Sequence, residues 1–130
     1  MAKKILVVIP SFVPNKWCFD LLNWLQRSDV SHVVLFDNGG SFPKAKIKDL
    51  RKVEVVNSGC NLNWLASNNL GATIALERGY DYVCFMNDDV FLSGSFFRGM
   101  LRTFEVADNP GIVVPKYDGG FCKAASDKKT

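Results

Sequence analysis

The sequence predicts an α/β domain built on a doubly wound, mainly parallel sheet, and three observations carry that expectation. Apolar runs that read as strands recur along the chain, at residues 5–9, 32–36 and 53–56, and the first of them, continuous and β-branched, fits a strand covered on both faces, as in a parallel sheet. Between them lie stretches whose apolar residues repeat at helical spacing. Strand and helix alternate, the order that builds right-handed βαβ units.

Taken in order, residues 5–9 form a first strand that Pro10 closes. After the loop Ser11-Phe12-Val13-Pro14-Asn15, the residues Trp17, Leu21, Trp24 and Leu25 recur at helical spacing, with Pro14 and Asn15 as start signals. Residues 32–36 give a second strand, broken by Asp37-Asn38-Gly39-Gly40, residue types that tolerate tight and left-handed turns. A short helix is expected over 43–50 and a third strand over 53–56. Asn63 is placed to cap a helix with apolar positions Leu65, Ala66, Leu70, Ile74 and Leu76, and Gly79 to end it. The stretch from Tyr80 to Val90 then reads as a buried strand running into Asn87-Asp88-Asp89. Ser93 is placed to cap a further helix through Phe96, Phe97, Met100, Leu101 and Phe104, and residues 111–114 make a short fifth strand before Pro115. The domain is expected to span 1–116, with 117–130 a polar, flexible tail.

Composition narrows the function. With 130 residues and 48% hydrophobic content the chain can bury a core without disulfides or a structural metal. The net charge of +3 is modest, and Lys44, Lys46, Lys48, Arg51 and Lys52 surround Ile47 and Leu50 as a solvated face would, so no nucleic acid partner is expected. Cys18, Cys60, Cys84 and Cys122 form no C-x-x-C pair and read as buried free thiols. The basic start before Ile5 leads into an apolar run far too short for a membrane span, and a cytoplasmic protein is expected. Neither G-x-G-x-x-G nor G-x-x-x-x-G-K-[ST] occurs, which disfavours a dinucleotide dehydrogenase and a P-loop nucleotidase.

Three strand ends carry polar residues: Ser11 and Phe12 after the first, Asp37 and Asn38 after the second, and Asn87-Asp88-Asp89 after the fourth. Ligands of open α/β sheets bind outside the carboxyl ends of the strands, so these residues converge on one rim. A carboxylate there can accept hydrogen bonds from a base or ribose, and a divalent cation can neutralise a diphosphate. Asn68-Asn69 adds to the pattern, because asparagine is a poor helix former and one of the pair must face inward or towards the rim.

The segments Val7-Val8-Ile9-Pro10-Ser11-Phe12, Val34-Leu35-Phe36-Asp37-Asn38-Gly39, 61–71 and 82–90 resemble, in order and spacing, family 2 glycosyltransferases of the GT-A fold. The resemblance covers nearly the whole chain. It implies that Ser11, Phe12 and Asp37 hold the nucleobase, with Pro10, Asn38 and Asn68 also at the nucleotide, and that Asn87, Asp88 and Asp89 form a D-x-D-like motif, with Asp89 as the ligand of Mn2+ or Mg2+. It implies a UDP-sugar or related nucleotide sugar as donor and an inverting transfer, with Asn87 departing from the acidic residue usual at its position. The family's catalytic base comes from a later region; Asp118 and Asp127 are the carboxylates after Pro115 and so the candidates. The rival expectation is a non-catalytic nucleotide-sugar-binding module or a fragment of a larger glycosyltransferase. The acceptor and any homo-oligomer are not specified by the sequence.

Overall fold

The computed structural model describes residues 2–116, which divide into two compact units, 2–92 and 93–116. Among the described residues the first unit holds β1 (Ile5–Ser11), α1 (Lys16–Arg27), β2 (His32–Asp37), a 3-10 turn (Lys44–Ile47), β3 (Val53–Val56), α2 (Asn63–Glu77) and β4 (Tyr82–Phe85). The strands form one parallel sheet in the order β3-β2-β1-β4, flanked by helices. The chain winds outward from β1 to β3 and then returns to place β4 on the other side of β1, so the strand order reverses between β1 and β4.

Burial explains why β1 and β2 are continuous apolar runs: residues 5–9 and 33–36 are all buried, with no water on either face. Leu6, Val8, Val34 and Phe36 form one side of the core, closed by Ala75 of α2 with Ile74 and Tyr80 beside it. The Asn15 side chain accepts from the backbone N–H groups of Trp17 and Cys18 and so caps α1, as its position predicts. Gly79 ends α2 at φ +73, with Gly79 N–H bonded to Leu76 O and Tyr80 N–H to Ala75 O, the paired bonds of a Schellman cap.

Several expectations are corrected. The face α2 turns inward is not its leucine face: Ser67, Asn68, Gly71 and Ala75 are buried, whereas Leu65, Leu70 and Leu76 are exposed. The cause is close approach, since a Cβ on Gly71 would stand 2.5 Å from Val8 Cγ1, and only small side chains fit so near the sheet. Asn63 is the first residue of α2 with φ +59 and does not cap it; its own N–H donates to Asn61 Oδ1 at 2.8 Å. The 43–50 segment tightens to a 3-10 turn around buried Ile47.

The second unit holds α3 (Phe96–Val106), which starts after Ser95 rather than at Ser93. No strand forms over 111–114 in the described residues; Ile112 and Val114 are exposed, and strand propensity without a ladder partner does not make a strand. The 117–130 tail lies outside the described residues.

Candidate functional site

The parallel register sets Ser11, the last residue of β1, opposite Asp37, the last residue of β2. On the other side of β1, Met86 N–H donates to Val8 O at 3.1 Å and continues the ladder past β4, bringing Asn87 and Asp88 to the same end of the sheet. There Ser11 Oγ donates to Asp88 Oδ2 at 2.8 Å. This bond joins β1 to the acidic turn at the place where the strand order reverses, the position at which open α/β sheets bind ligands.

The β2 end is held from within. The buried Asp37 carboxylate accepts from Gly40 N–H at 2.9 Å and Phe42 N–H at 3.1 Å, with Asn57 Nδ2 at 3.5 Å, so both oxygens hold the following loop. The turn presses close to the β1 loop: a Cβ on Gly39 would lie 2.0 Å from Phe12 O, which makes glycine obligatory there. Asn38 reaches the other way, donating through Nδ2 to Ser67 Oγ at 2.9 Å and accepting from Leu62 N–H at 3.4 Å. It therefore fixes the first turn of α2 against the rim.

Asn68 follows Ser67 and is only 5% exposed, yet neither its Nδ2 nor its Oδ1 has a hydrogen-bond partner. A buried primary amide left unpaired costs free energy, and such a group in a folded protein calls for a water or a ligand. Of the other sequence-predicted residues, Pro10 is half-buried, Phe12 is exposed, Asp88 is half-buried, and Asn87 and Asp89 are exposed. The structure thus gathers Ser11, Asn38, Asn87 and Asp88 at one rim through hydrogen bonds, with Asn68 on the adjoining turn of α2. Asp37 supports that rim through its loop.

Trp64 was not expected at the site. Its indole Nε1–H donates to Asn87 Oδ1 at 3.1 Å and ties α2 to the acidic turn. The available signal was its spacing of four residues from Asn68, which puts both on one side of a helix. Cys18 lies beneath the rim, where burial pushes its thiol up to about 12 and the neighbouring Asp88 charge adds to the effect. It is a packing residue, not a nucleophile. Of the other cysteines, Cys84 is half-buried, Cys60 is exposed against expectation, and Cys122 lies outside the described residues.

Among the described residues no group of three or more His, Cys, Asp or Glu converges to hold a metal ion. Two neighbouring carboxylates, Asp88 and Asp89, are hard oxygen donors of the kind that hold Mg2+ or Mn2+ when a diphosphate supplies further oxygens, so the donor set fits that arrangement. Asp118 and Asp127, the candidate bases, lie outside the described residues.

No protein-family model matches the chain. It is similar to an uncharacterized protein of Mycobacterium bovis and to uncharacterized proteins of two strains of Mycobacterium tuberculosis, each 28% identical over 125 residues. Those alignments cover 96% of this chain and 45% of each relative, so the chain spans about half the length of the curated proteins it matches.

Proposed function

We propose that the chain is a minimal, metal-dependent glycosyltransferase domain of the inverting type that takes a nucleoside-diphosphate sugar, with a UDP-sugar as the first candidate. The observation that best supports this reading is the Ser11–Asp88 hydrogen bond, which puts a polar β1 end and an acidic turn together where the sheet order reverses. The unpaired Asn68 amide supplies a buried donor and acceptor for the nucleotide. Ser11, Phe12 and Asn38 border the base, Asp37 shapes the loop beside it, and Asn87 offers an amide to the ribose. Asp89 would hold Mn2+ or Mg2+ with Asp88 behind it, and the ion would stabilise the departing diphosphate as a Lewis acid.

One observation favours a second reading, a nucleotide-sugar-binding module. The strand-end carboxylates among the described residues are Asp37, Asp88 and Asp89, and none remains to act as base once Asp37 holds its loop and the other two face the diphosphate. The acceptor belongs to the proposal only as a hydroxyl nucleophile. A cytoplasmic setting is supported by the free thiols Cys18, Cys60 and Cys84. No helix among the described residues is long and apolar enough to cross a membrane.

Calorimetry of UDP binding tests the site. With Mn2+ present UDP binds; a chelator weakens it by about tenfold or more, because a diphosphate beside uncompensated carboxylates is repelled, and Asp89→Ala weakens it similarly by removing the ligand that holds the ion. Equal affinity with and without metal counts against the site. UDP release from a UDP-sugar, measured in parallel, separates enzyme from binding module.

A further inference from the structure

Resting on the nucleotide-sugar reading above, we propose that Trp64 is the platform on which the sugar ring of the bound nucleotide sugar lies. Trp64 stands in the first turn of α2, and its Nε1–H bond to Asn87 Oδ1 pins the pyrrole edge of the indole to the turn that carries Asp88 and Asp89. The rest of the ring is open. Trp64 is 56% exposed, and among the described residues no other aromatic ring and no cation packs on it. A single exposed aromatic residue is ordinary on a protein surface. What singles this one out is the hydrogen bond that fixes it beside the carboxylates, so that little rotamer freedom is left to lose when a ligand arrives.

The chemistry of a pyranose matches what stands there. One face of the sugar presents C–H groups, and its edge presents hydroxyls. The indole face carries partial negative charge that attracts polarised C–H groups, and contact removes water from two apolar surfaces. Asn87 accepts from Trp64 through its carbonyl oxygen and keeps its Nδ2 to donate to a hydroxyl at the sugar edge. An aromatic face and an amide edge thus stand together next to Asp88 and Asp89, where the diphosphate and the anomeric carbon bonded to it belong. A nucleobase is the competing ligand, because it is flat and also stacks on indole.

Calorimetry on the full chain with Mn2+ tests the assignment. UDP-glucose, UDP-galactose, UDP-N-acetylglucosamine, GDP-mannose and dTDP-glucose are each compared with their own nucleoside diphosphate, for the parent, Trp64→Ala and Trp64→Phe, with melting temperatures measured alongside. Trp64→Ala is expected to weaken the best-binding nucleotide sugar by about fivefold or more and to leave its diphosphate within about twofold, and Trp64→Phe to recover only part of the loss, because it restores an aromatic face but not the Nε1–H bond to Asn87. Equal losses for sugar and diphosphate make Trp64 a base or ribose contact, and no loss in either makes it a surface residue; each result overturns the assignment. A parent that binds a diphosphate but binds no nucleotide sugar more tightly overturns it too, while leaving the nucleotide reading in place. Failure of every diphosphate to bind removes the nucleotide reading and the sugar platform together.

Discussion

Asn68 is the residue where stability and function pull apart. Its amide is buried without a partner, and it sits inside a helix that asparagine does not favour. Replacement by leucine, similar in size and apolar, removes the unpaired donor and acceptor and improves helix propensity. Asn68→Leu is therefore expected to stabilise the fold by about 1 kcal/mol in urea unfolding, while weakening UDP binding in calorimetry. A loss of stability would mean that the amide is already satisfied, and an unchanged UDP affinity would remove Asn68 from the site. That one of the adjacent mid-helix asparagines, Asn68 or Asn69, turns inward or towards the rim was legible in the sequence, but which of the two was not; only the family resemblance pointed to Asn68. Asp37 was legible only in part: an Asp-Asn-Gly-Gly string announces a turn, but nothing in it says that both carboxylate oxygens close on Gly40 and Phe42. Backbone donors leave no trace in residue identity. Trp64 escaped notice for a related reason, since its partner Asn87 is 23 residues away and belongs to another element.

At the scale of the element, α2 decides how close the site can be drawn. Its inner stripe of Ser67, Asn68, Gly71 and Ala75 lets the helix approach β1 until Gly71 Cα rests against Val8. Gly71→Ala adds a methyl 2.5 Å from a Val8 methyl, and Val8 is β-branched and fully buried, so it cannot swing aside. The gain in helix propensity, about 1 kcal/mol, opposes a clash that typically costs about 1 to 3 kcal/mol. A net loss of about 1 kcal/mol is expected in Gly71→Ala. Adding Val8→Ala should make the double mutant more stable than the sum of the single effects, and strictly additive values would place the two residues out of contact. The apolar spacing of α2 pointed instead to Leu65, Leu70 and Leu76, which face water, along with Ile74, which does pack against the core. Hydrophobic periodicity finds the helix correctly and its buried face wrongly when backbone proximity, rather than apolar area, selects the residues at the contact. The caps carry local chemistry and were easier to place: Asn15 and Gly79 stand where their side chain and positive φ are needed.

For the whole molecule, the alternation of apolar runs and helices carried the parallel α/β architecture, and the two central runs, β1 and β2, are the ones buried on both faces, whereas β3 and β4 are half-buried. The short 111–114 run did not become a strand, since pairing depends on a neighbour that the run itself does not encode. One polar cluster ties sheet to helix far from the rim and makes a small contribution to how stability depends on pH. Glu54 on β3 accepts from Arg78, the residue after α2, at 2.8 Å and 3.3 Å, and lies 3.0 Å from His32 Nε2 on β2. Hydrogen bonds from Arg78 and then His32 hold the Glu54 carboxyl down at about 2, against an ordinary value of 4.5. A carboxyl depressed in the folded state stabilises it above the unfolded value, and that contribution is lost as pH falls from about 4.5 towards 2. The Glu54 side chain is 38% exposed, so solvent screening leaves about 1 kcal/mol of it at most. Glu54→Gln is expected to lower stability by up to about that amount at pH 7 and to converge with the parent near pH 2, while leaving UDP affinity unchanged. Urea unfolding at a series of pH values measures the difference. A gap between parent and variant that stays constant from pH 7 down to pH 2 would show that the ion pair contributes by packing alone.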